Sequence, residues 1–494
     1  MGNKVKQECS PVSQNQESPP YTNILRNRVR FFMMFLLLLC LSAMWSNILS
    51  FNIAVLCMHP HRYHNLSITL TVLSNLAYIT ENGSIPESKI KMKQDMQNYT
   101  LSEPNLVEFF NRKVFWYTAD DKSKLIGAVA VGAMLGNFPI VWLTGRYQVR
   151  TTFGVLGIIS GLVTSFIPIA ARLGFDYFLI VRAIQGMAFA ANFCVIGSFT
   201  SKWTYFKQNG MFISVLVAHF QMAPAMTMPI GGYICSTYGW PFVYYAHGIY
   251  SLLLFIITIL LYRNSPNKHP FVSDAEVSKI ATGKQTVSKS EQRQIPYSKI
   301  LGTAAVWAVW IAAFGASVCS NLIFLMTPTF LHAVLGYQVQ HTGFTSAFPP
   351  LLQFIIKLAS GVASDKIRIL SETAKVKVFN SIAFFGSAIF LIVLALLIPN
   401  YNSVAICLLI ICTGVLGGAA GGLYRSGPII ARHFSPFVTG NISLAITLTI
   451  LLVPIMVSML APDNTVDQWK NVCFVIVMLS LIQIFMLARE QFYC

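Results

Sequence analysis

Long apolar segments separated by short polar ones recur along almost the whole chain. A helix that crosses a bilayer needs about 20 mostly apolar residues. The first segment is too long for a signal peptide and lacks a cleavage site of small residues, so we expect it to remain as a span. The pattern predicts twelve transmembrane helices, at 31–58, 124–144, 152–171, 176–199, 211–233, 241–262, 302–331, 342–361, 377–398, 402–428, 437–460 and 471–488.

The composition agrees with a chain that lies mostly in lipid. Hydrophobic residues make up 55% of it and charged residues 11%, whereas roughly a quarter of the residues in soluble domains are charged. Most of the 35 Lys and Arg residues lie on the cytosolic side if the N-terminus is cytosolic, as the positive-inside rule requires. The net charge of +17 therefore reflects topology. Because the basic residues are spread over several short loops, we expect no nucleic-acid partner.

The long loop between the first two spans is predicted to face the outside of the cell or a lumen. It contains three acceptor sequences for N-glycosylation, at Asn65, Asn82 and Asn98. The ten cysteines include no C-X-X-C pair, so we expect no metal site. We interpret the cysteines as small apolar packing residues.

Three basic residues lie inside predicted spans, and every acidic residue lies outside the spans or at their edges. The three are Arg182, Lys357 and Arg425. A charge deep in the bilayer is energetically expensive and usually faces a water-filled cavity or a ligand. The sequence therefore predicts a binding site for a small anion. For Arg182 and Lys357 the alternative is a side chain that extends towards the lipid headgroups.

Polar residues in the same spans extend the predicted site. Arg425 follows a glycine-rich segment, and a broken helix beside a cation is typical of transporter sites. His219 and His247 are candidates for proton coupling, and the alternative for each is a hydrogen-bonded packing residue. The other predicted substrate-binding residues are Asn52, Gln185, Asn192, Asn321 and Tyr424.

A loop motif indicates the fold. The segment LASGVASDKIR after the eighth span resembles the loop signature of major facilitator proteins through Gly361, Asp365, Lys366 and Arg368. With two groups of six spans, it predicts an all-α membrane protein with the major facilitator fold, twelve transmembrane helices in two six-helix halves. The expected parts are a cytosolic tail (1–30), a first half (31–262) with an outer loop (59–123), a cytosolic linker (263–301), a second half (302–488) and a cytosolic tail (489–494).

Seven segments carry a more specific resemblance. In chain order they are VRAIQG (181–186), SKW (201–203), YGWPFVYYAHG (238–248), SPNKHPFVSDAE (265–276), PTFLHAVLGY (328–337), TGFTSAFPPL (342–351) and APDNTVDQW (461–469). Through them the chain resembles solute carrier family 17, the anion transporters that include sialin, vesicular glutamate transporters and type I sodium–phosphate cotransporters, and within it a divergent branch found in nematodes. The resemblance implies anion transport and a substrate or coupling role for Arg182.

Several positions depart from the family pattern. The family's acidic residue seven places after the helix-four arginine, tied to proton coupling, is Phe189 here, and three further family positions hold Ile48, Ile126 and Ala316. Glutamate and sialic-acid chemistry therefore do not carry over. We expect a secondary transporter of a small organic or inorganic anion that works by alternating access, as a uniporter or exchanger. The alternative is a non-transporting receptor or scaffold of transporter shape.

The sequence contains no phosphate-binding G-X-X-X-X-G-K-[ST] loop, H-E-X-X-H pair or G-X-S-X-G elbow. We therefore expect a transporter rather than an enzyme, with no cofactor. The expected partners are a small anionic substrate and the lipid bilayer, and the expected state is a monomer. The predicted location is the plasma membrane or an endolysosomal or vesicular membrane.

Overall fold

Apolar helices make up nearly all of the chain that the computed structural model describes, which comprises residues 28–58, 117–205, 208–282, 300–367, 369–397, 402–422 and 435–490. Ten helices in these residues are long and apolar enough to cross a membrane. The first half consists of α1 (Val29–Met58), α2 (Ala119–Thr144), α3 (Arg146–Leu173), α4 (Phe175–Trp203), α5 (Asn209–Val217 and His219–Tyr238) and α6 (Trp240–Leu261).

A short linker helix (Asp274–Ala281) separates this half from the second. The second half consists of α7 (Ala304–Thr329, extended by a π-helical turn to Val334), α8 (Val339–Lys366), α9 (Glu372–Leu397), α10 (Asn402–Leu416, extended as a 3₁₀ helix to Gly421), α11 (Ser435–Leu460) and α12 (Val466–Glu490).

Local signals explain where several of these helices begin and end. Thr118 and Asp121 form a capping box at the start of α2, in which each side chain accepts a hydrogen bond from the other residue's backbone amide. Gly239, at φ 96°, separates α5 from α6 in a backbone conformation that favours glycine. On the side predicted to be cytosolic, Gln148 at φ 67°, near the start of α3, kinks the otherwise continuous helix that α2 and α3 form.

Glycines allow α2 and α4 to pack with their backbones in contact. A Cβ atom at Gly186 would collide with the carbonyl oxygen of Val129, and one at Gly132 would collide with that of Ala183. Small residues of this kind are how membrane helices approach closely without a hydrophobic driving force. The close approach brings the backbone carbonyls of α2 within reach of α4 side chains.

The two halves contact each other at their outer ends. Where α5 meets α8, a Cβ atom at Gly232 would lie 3.0 Å from the Cα atom of Gly343. Where α2 meets α11, the Ser123 hydroxyl donates to the carbonyl oxygen of Pro454 at 2.7 Å. Both contacts lie near the outer ends of their helices, so the described structure is closed between the halves on that side.

The linker is fixed to the end of the first half that the sequence predicts to be cytosolic. Glu276 of the linker helix accepts hydrogen bonds from the backbone amides of Val29 and Arg30, at 3.3 and 3.2 Å. These amides belong to the first turn of α1, where no intrahelical acceptor is available. The indole of Trp203 donates to the carbonyl oxygen of Arg263 at 3.1 Å and therefore joins α4 to the same segment.

The interpretation of all the cysteines as packing residues is wrong for two of them. Cys57 and Cys235 form a disulfide that joins the outer ends of α1 and α5. Disulfides form in the lumen of the endoplasmic reticulum and persist on the extracellular side of the plasma membrane. Among the described free cysteines, Cys40 and Cys412 are buried, in agreement with a packing role.

Candidate functional site

Arg182 lies in the interior of the first half, surrounded by neutral hydrogen-bond acceptors. Its Nε atom donates to the carbonyl oxygen of Leu125 on α2 at 3.2 Å. Its Nη1 atom donates to the carbonyl oxygen of Ile48 on α1 at 3.1 Å and to Oε1 of Gln185 at 2.8 Å. The guanidinium carbon lies 4.9 Å from the centre of the Phe51 ring, a cation–π contact. The positive charge of Arg182 is therefore stabilised by the dipoles of two backbone carbonyls and one amide and by the Phe51 ring.

The Arg182 side chain is 0% exposed, and it extends towards α1 and α2 rather than along α4 to the headgroups. Its Nη2 atom is buried and makes no hydrogen bond. A buried charged donor without an acceptor is unfavourable. The guanidinium therefore has one nitrogen, Nη2, whose N–H groups are not satisfied by the described residues.

Gln185 connects Arg182 to a polar network inside the first half. Its Nε2 atom donates to the carbonyl oxygen of Asn47 at 3.0 Å and to the hydroxyl of Thr164 at 2.7 Å. The Asn47 amide donates in turn to the hydroxyls of Ser160 and Ser251, at 3.0 and 3.1 Å. Asn47 was not among the residues selected from the sequence, although an asparagine within an apolar span was the available signal.

Asn52 is buried on α1, one residue after the ring that Arg182 contacts, and its Nδ2 atom has no hydrogen-bond partner. The hydroxyl of Tyr244 on α6 is also buried without a partner. Tyr244 was not predicted, because one tyrosine in the aromatic-rich segment 238–248 does not stand out.

Phe189, which replaces the family's acidic residue, is part of an aromatic cluster. Its ring centre lies 5.1 Å from that of Trp45 and 6.2 Å from that of Phe220. A cavity of about 10 Å³ beside it is lined by α2, α4 and α11, including Phe193 and Thr447. This volume is enough for about one water molecule.

His219 and His247 are both buried, and a backbone carbonyl fixes the tautomer of each ring. His219 Nδ1 lies 2.8 Å from the carbonyl oxygen of Leu216, and its Nε2 lies 3.4 Å from Nδ2 of Asn192. A carbonyl only accepts, so Nδ1 carries the hydrogen and Nε2 accepts from the Asn192 amide. His247 Nδ1 likewise lies 2.7 Å from the carbonyl oxygen of Val243.

Lys357 lies in a second polar group, where the two halves meet. Its Nζ atom donates to Oε1 of Gln221 on α5 at 3.4 Å. Nε2 of Gln221 donates to Oε1 of Gln353 at 3.2 Å, and Gln353 donates to the hydroxyl of Ser320 on α7 at 3.3 Å. Gln221 and Gln353 were not predicted, because neutral amides within spans are common packing residues.

Asn321 is buried on α7 and donates to the hydroxyl of Thr449 on α11 at 2.7 Å. This bond joins two helices of the second half rather than connecting Asn321 to either buried cation. Gly361 lies in α8 with open space beside its Cα atom, and Lys366 is exposed at the end of that helix.

Several predicted residues lie outside the part of the chain that the structure describes. Asp365 belongs to α8, but its side chain is not described. The roles predicted for Asp365 and for the residues named next are therefore not tested by the described structure. The residues outside the described ranges are Arg425, Tyr424, Arg368 and the glycosylation acceptors Asn65, Asn82 and Asn98.

The acidic side chains that the structure describes lie at helix ends or in connections. Two exposed pairs illustrate this distribution, Lys124 with Asp120 at 2.6 Å and Lys470 with Asp467 at 2.7 Å, both on the outer side. Within the described residues, no group of three or more His, Cys, Asp and Glu side chains could hold a metal ion. The described membrane interior thus contains buried cations and no carboxylate.

Comparisons with known proteins agree with this arrangement. Human sialin is 26% identical over 368 residues, which cover 74% of this chain and 74% of sialin. Sodium-dependent phosphate transport protein 1 of Rattus norvegicus is 25% identical, with 73% of this chain and 79% of the relative covered. Vesicular glutamate transporter 3 of Danio rerio is 26% identical over 70% of this chain and 60% of its own. The predicted resemblance to solute carrier family 17 is therefore confirmed.

Solved structures confirm the predicted fold. A bacterial homologue of the human lysosomal transporter Spinster, in an inward-facing and occupied conformation, aligns with a TM-score of 0.62 at 13% identity, over 93% of this chain and 96% of that one. The xylose transporter of E. coli, in a partially occluded inward-open conformation, aligns with a TM-score of 0.58 at 13% identity, over 92% of this chain and 99% of that one. At this identity the likeness shows the fold alone.

The family model for the Major Facilitator Superfamily matches residues 92–454, which is most of the chain. The relatives of this chain are membrane transporters, so the expectation of a multi-pass transporter rather than an enzyme is confirmed. The chain belongs to the Major Facilitator Superfamily.

Proposed function

We propose that this chain transports a small organic or inorganic anion across a membrane by alternating access. One observation carries the proposal. The Arg182 guanidinium is fully buried among neutral acceptors and retains an Nη2 donor without a partner. A carboxylate or phosphate oxygen is the acceptor that best satisfies a guanidinium in a dry site.

The distribution of charge supports an anionic substrate. Lys357 adds a second buried cation, and the acidic residues of the sequence lie outside the spans or at their edges. An anion that enters such an interior loses its hydration, and fixed cations offset that loss. Phosphate and glutamate appear in the names of two relatives. Both are small anions and are reasonable first substrates to test.

For coupling, uniport or exchange is the function that the residues support best. A carrier driven by protons usually contains a carboxylate within the membrane that changes charge. Phe189 occupies the family's acidic position and packs between aromatic rings. The remaining candidates are His219 and His247, whose Nδ1 atoms are held by backbone carbonyls. Membrane potential, at about 2.3 kcal/mol per charge per 100 mV, is then the main driving force.

Reconstitution of the full chain in lipid vesicles tests the proposal. Uptake of labelled phosphate, glutamate and a panel of organic anions is measured under a potassium-diffusion potential, a pH gradient and a sodium gradient, each imposed separately. We expect uptake of at least one anion that follows the potential. Accumulation driven by the pH gradient at zero potential, and lost in His219→Ala or His247→Ala, would replace uniport with proton coupling.

The alternative is a receptor or scaffold with the shape of a transporter. It is favoured if reconstituted protein with native secondary structure binds an anion but transports none under any of the three gradients. Localisation to the plasma membrane or to an endolysosomal membrane, tested by imaging the tagged chain, determines which side of the carrier the substrate reaches first. A single-molecule size measurement in detergent tests the predicted monomer.

A further inference from the structure

A glutamine of the first half contacts the buried lysine of the second half. Oε1 of Gln221 on α5 lies 3.4 Å from Nζ of Lys357 on α8, and both side chains are buried. Gln221 lies twelve residues from the start of α5 and Lys357 nine residues from the end of α8. At about 1.5 Å per residue these are depths of about 18 and 14 Å from the cytosolic ends. The contact is therefore near the middle of the membrane.

We propose that the Gln221 carboxamide occupies the position of the substrate's anionic group on Lys357 while the carrier is empty, and that the bound anion displaces it. This proposal rests on the anion transport proposed above and names the residue with which the substrate competes. The amide oxygen carries a partial negative charge and only accepts hydrogen bonds, as a carboxylate does. Gln221 thus acts as a neutral substitute for an anion.

The hydrogen bond between Gln221 and Lys357 is long and therefore weak enough for a substrate to displace it. A separation of 3.4 Å exceeds the usual 2.7–3.2 Å range for an N–H···O hydrogen bond. A carboxylate or phosphate oxygen approaches an ammonium to about 2.7–2.9 Å, and it adds the attraction between two full charges, which the neutral amide oxygen of Gln221 lacks. The hydrogen bond between an anion and Lys357 is therefore stronger than the bond between Gln221 and Lys357 that it replaces.

A second contact fixes the orientation of the Gln221 amide. Its Nε2 atom donates to Oε1 of Gln353 at 3.2 Å, and Gln353 donates to the Ser320 hydroxyl at 3.3 Å. Gln221 therefore connects α5 of the first half to α8 of the second by two hydrogen bonds, one through each end of its amide. An anion that displaces Oε1 leaves the bond to Gln353 and breaks the bond to Lys357. Substrate binding thus changes the contact between the halves at the point where they move relative to each other.

The test is a binding measurement on the purified full chain in detergent, which does not depend on transport. Thermal unfolding is followed while phosphate, glutamate or N-acetylneuraminate is titrated, and an apparent Kd is obtained for each anion that shifts the transition. The variants are Gln221→Met, which has a similar volume and no acceptor, and Gln221→Glu, which supplies a permanent carboxylate. Gln340→Met, at an exposed position near the start of α8, is the matched control.

We expect Gln221→Met to tighten anion binding by about fivefold to tenfold, because the competing hydrogen bond to a charged group is removed. Gln221→Glu should weaken binding by more than about tenfold. The Gln340→Met control should bind as the wild type does. Weaker binding by Gln221→Met would show that Gln221 is itself a substrate ligand and would overturn the proposal.

Gln221→Glu decides the question if Gln221→Met does not fold, because unchanged affinity in the glutamate variant also overturns the proposal. If the wild type binds an anion and both variants bind it with the same affinity, this inference is wrong, and the proposed anion transport is unaffected. A wild-type chain that neither binds nor transports any tested anion removes the proposed function, and this inference falls with it.

Discussion

Arg182 and Gln185 lie one turn apart on α4, and Nη1 of the arginine donates to Oε1 of the glutamine at 2.8 Å. The other end of the same amide donates to Asn47 on α1 and to Thr164 on α3. Any movement of the guanidinium towards a ligand is therefore transmitted to two further helices. This pair is the connection between the candidate binding site and the packing of the first half.

Arg182→Gln should abolish anion transport while the protein still folds and reaches the membrane. The amide retains part of the hydrogen bonding to the carbonyl oxygens of Ile48 and Leu125. It removes the charge that offsets the desolvation of the anion. Uptake is measured per amount of correctly inserted protein, with Lys124→Gln on the outer surface as the control. Normal uptake by Arg182→Gln would show that the arginine only stabilises the fold.

Gly186→Ala should destabilise the first half and reduce transport. Its added methyl group would collide with the Val129 carbonyl oxygen, so α2 and α4 must separate. Overpacking of this kind costs about 1–3 kcal/mol, and the separation also lengthens the bond from Arg182 to Leu125. Gly197→Ala is the matched control, because a Cβ atom there has no neighbour within 4 Å. Equal unfolding temperatures for the two variants would contradict the described helix contact.

Cys57→Ser should lower the unfolding temperature and make it insensitive to reductant. The disulfide closes a connection of 178 residues between α1 and α5, and native disulfides typically contribute about 2–4 kcal/mol. Peptide mapping by mass spectrometry under non-reducing conditions checks the pairing directly. Cys407→Ser, which alters an exposed free cysteine on α10, should behave as the wild type does. Detection of Cys57 as a free thiol in the membrane-inserted protein would refute the pairing.

The linker should be held less tightly to the first half as the cytosolic pH falls. His269 is buried against Trp203. Burial, together with repulsion from Arg263, lowers the pKa of His269 below its ordinary value of 6.5. The Phe271 amide donates to its Nδ1 atom at 3.2 Å, so protonation at that atom breaks this bond. Because the pKa is lower in the docked state, protons favour the undocked state. The contribution of His269 to docking is therefore fully present above about pH 6.5 and decreases as the pH falls below that value.

Hydrogen exchange over 263–282 tests this dependence. We expect slow exchange at pH 7.5, after correction for the intrinsic rate, and faster exchange at pH 5. In His269→Gln the protection should no longer change between the two values. Protection that varies equally in the variant would assign the effect to another group.

The twelve helices could be predicted because the hydropathy of each span is a local property of the chain. Their ends are less predictable. The second span was expected to start at 124, whereas α2 begins at Ala119, because the capping box of Thr118 and Asp121 extends the helix above the apolar segment. The disulfide could not be predicted, because no periodic pattern indicates that Cys57 and Cys235 meet across 178 residues.

The candidate site was predictable in part for a similar reason. A charged residue within an apolar span stands out, and this identified Arg182 and Lys357. Their acceptors do not stand out, because the carbonyl oxygens of Ile48 and Leu125 belong to the backbone and carry no residue-type signal. Gln221 is a neutral residue whose importance depends on the distance between two halves of the chain. Such a distance can be read only from the structure.

The contact between Gly232 and Gly343 also differs from an ion pair in how it responds to its surroundings. This contact, and the hydrogen bond from Ser123 to Pro454, involve backbone and hydroxyl atoms, none of which titrates in the physiological range. Salt screens charged contacts but leaves contacts of this kind nearly unaffected. We therefore expect these two contacts to be equally strong in an acidic lumen and in neutral extracellular fluid.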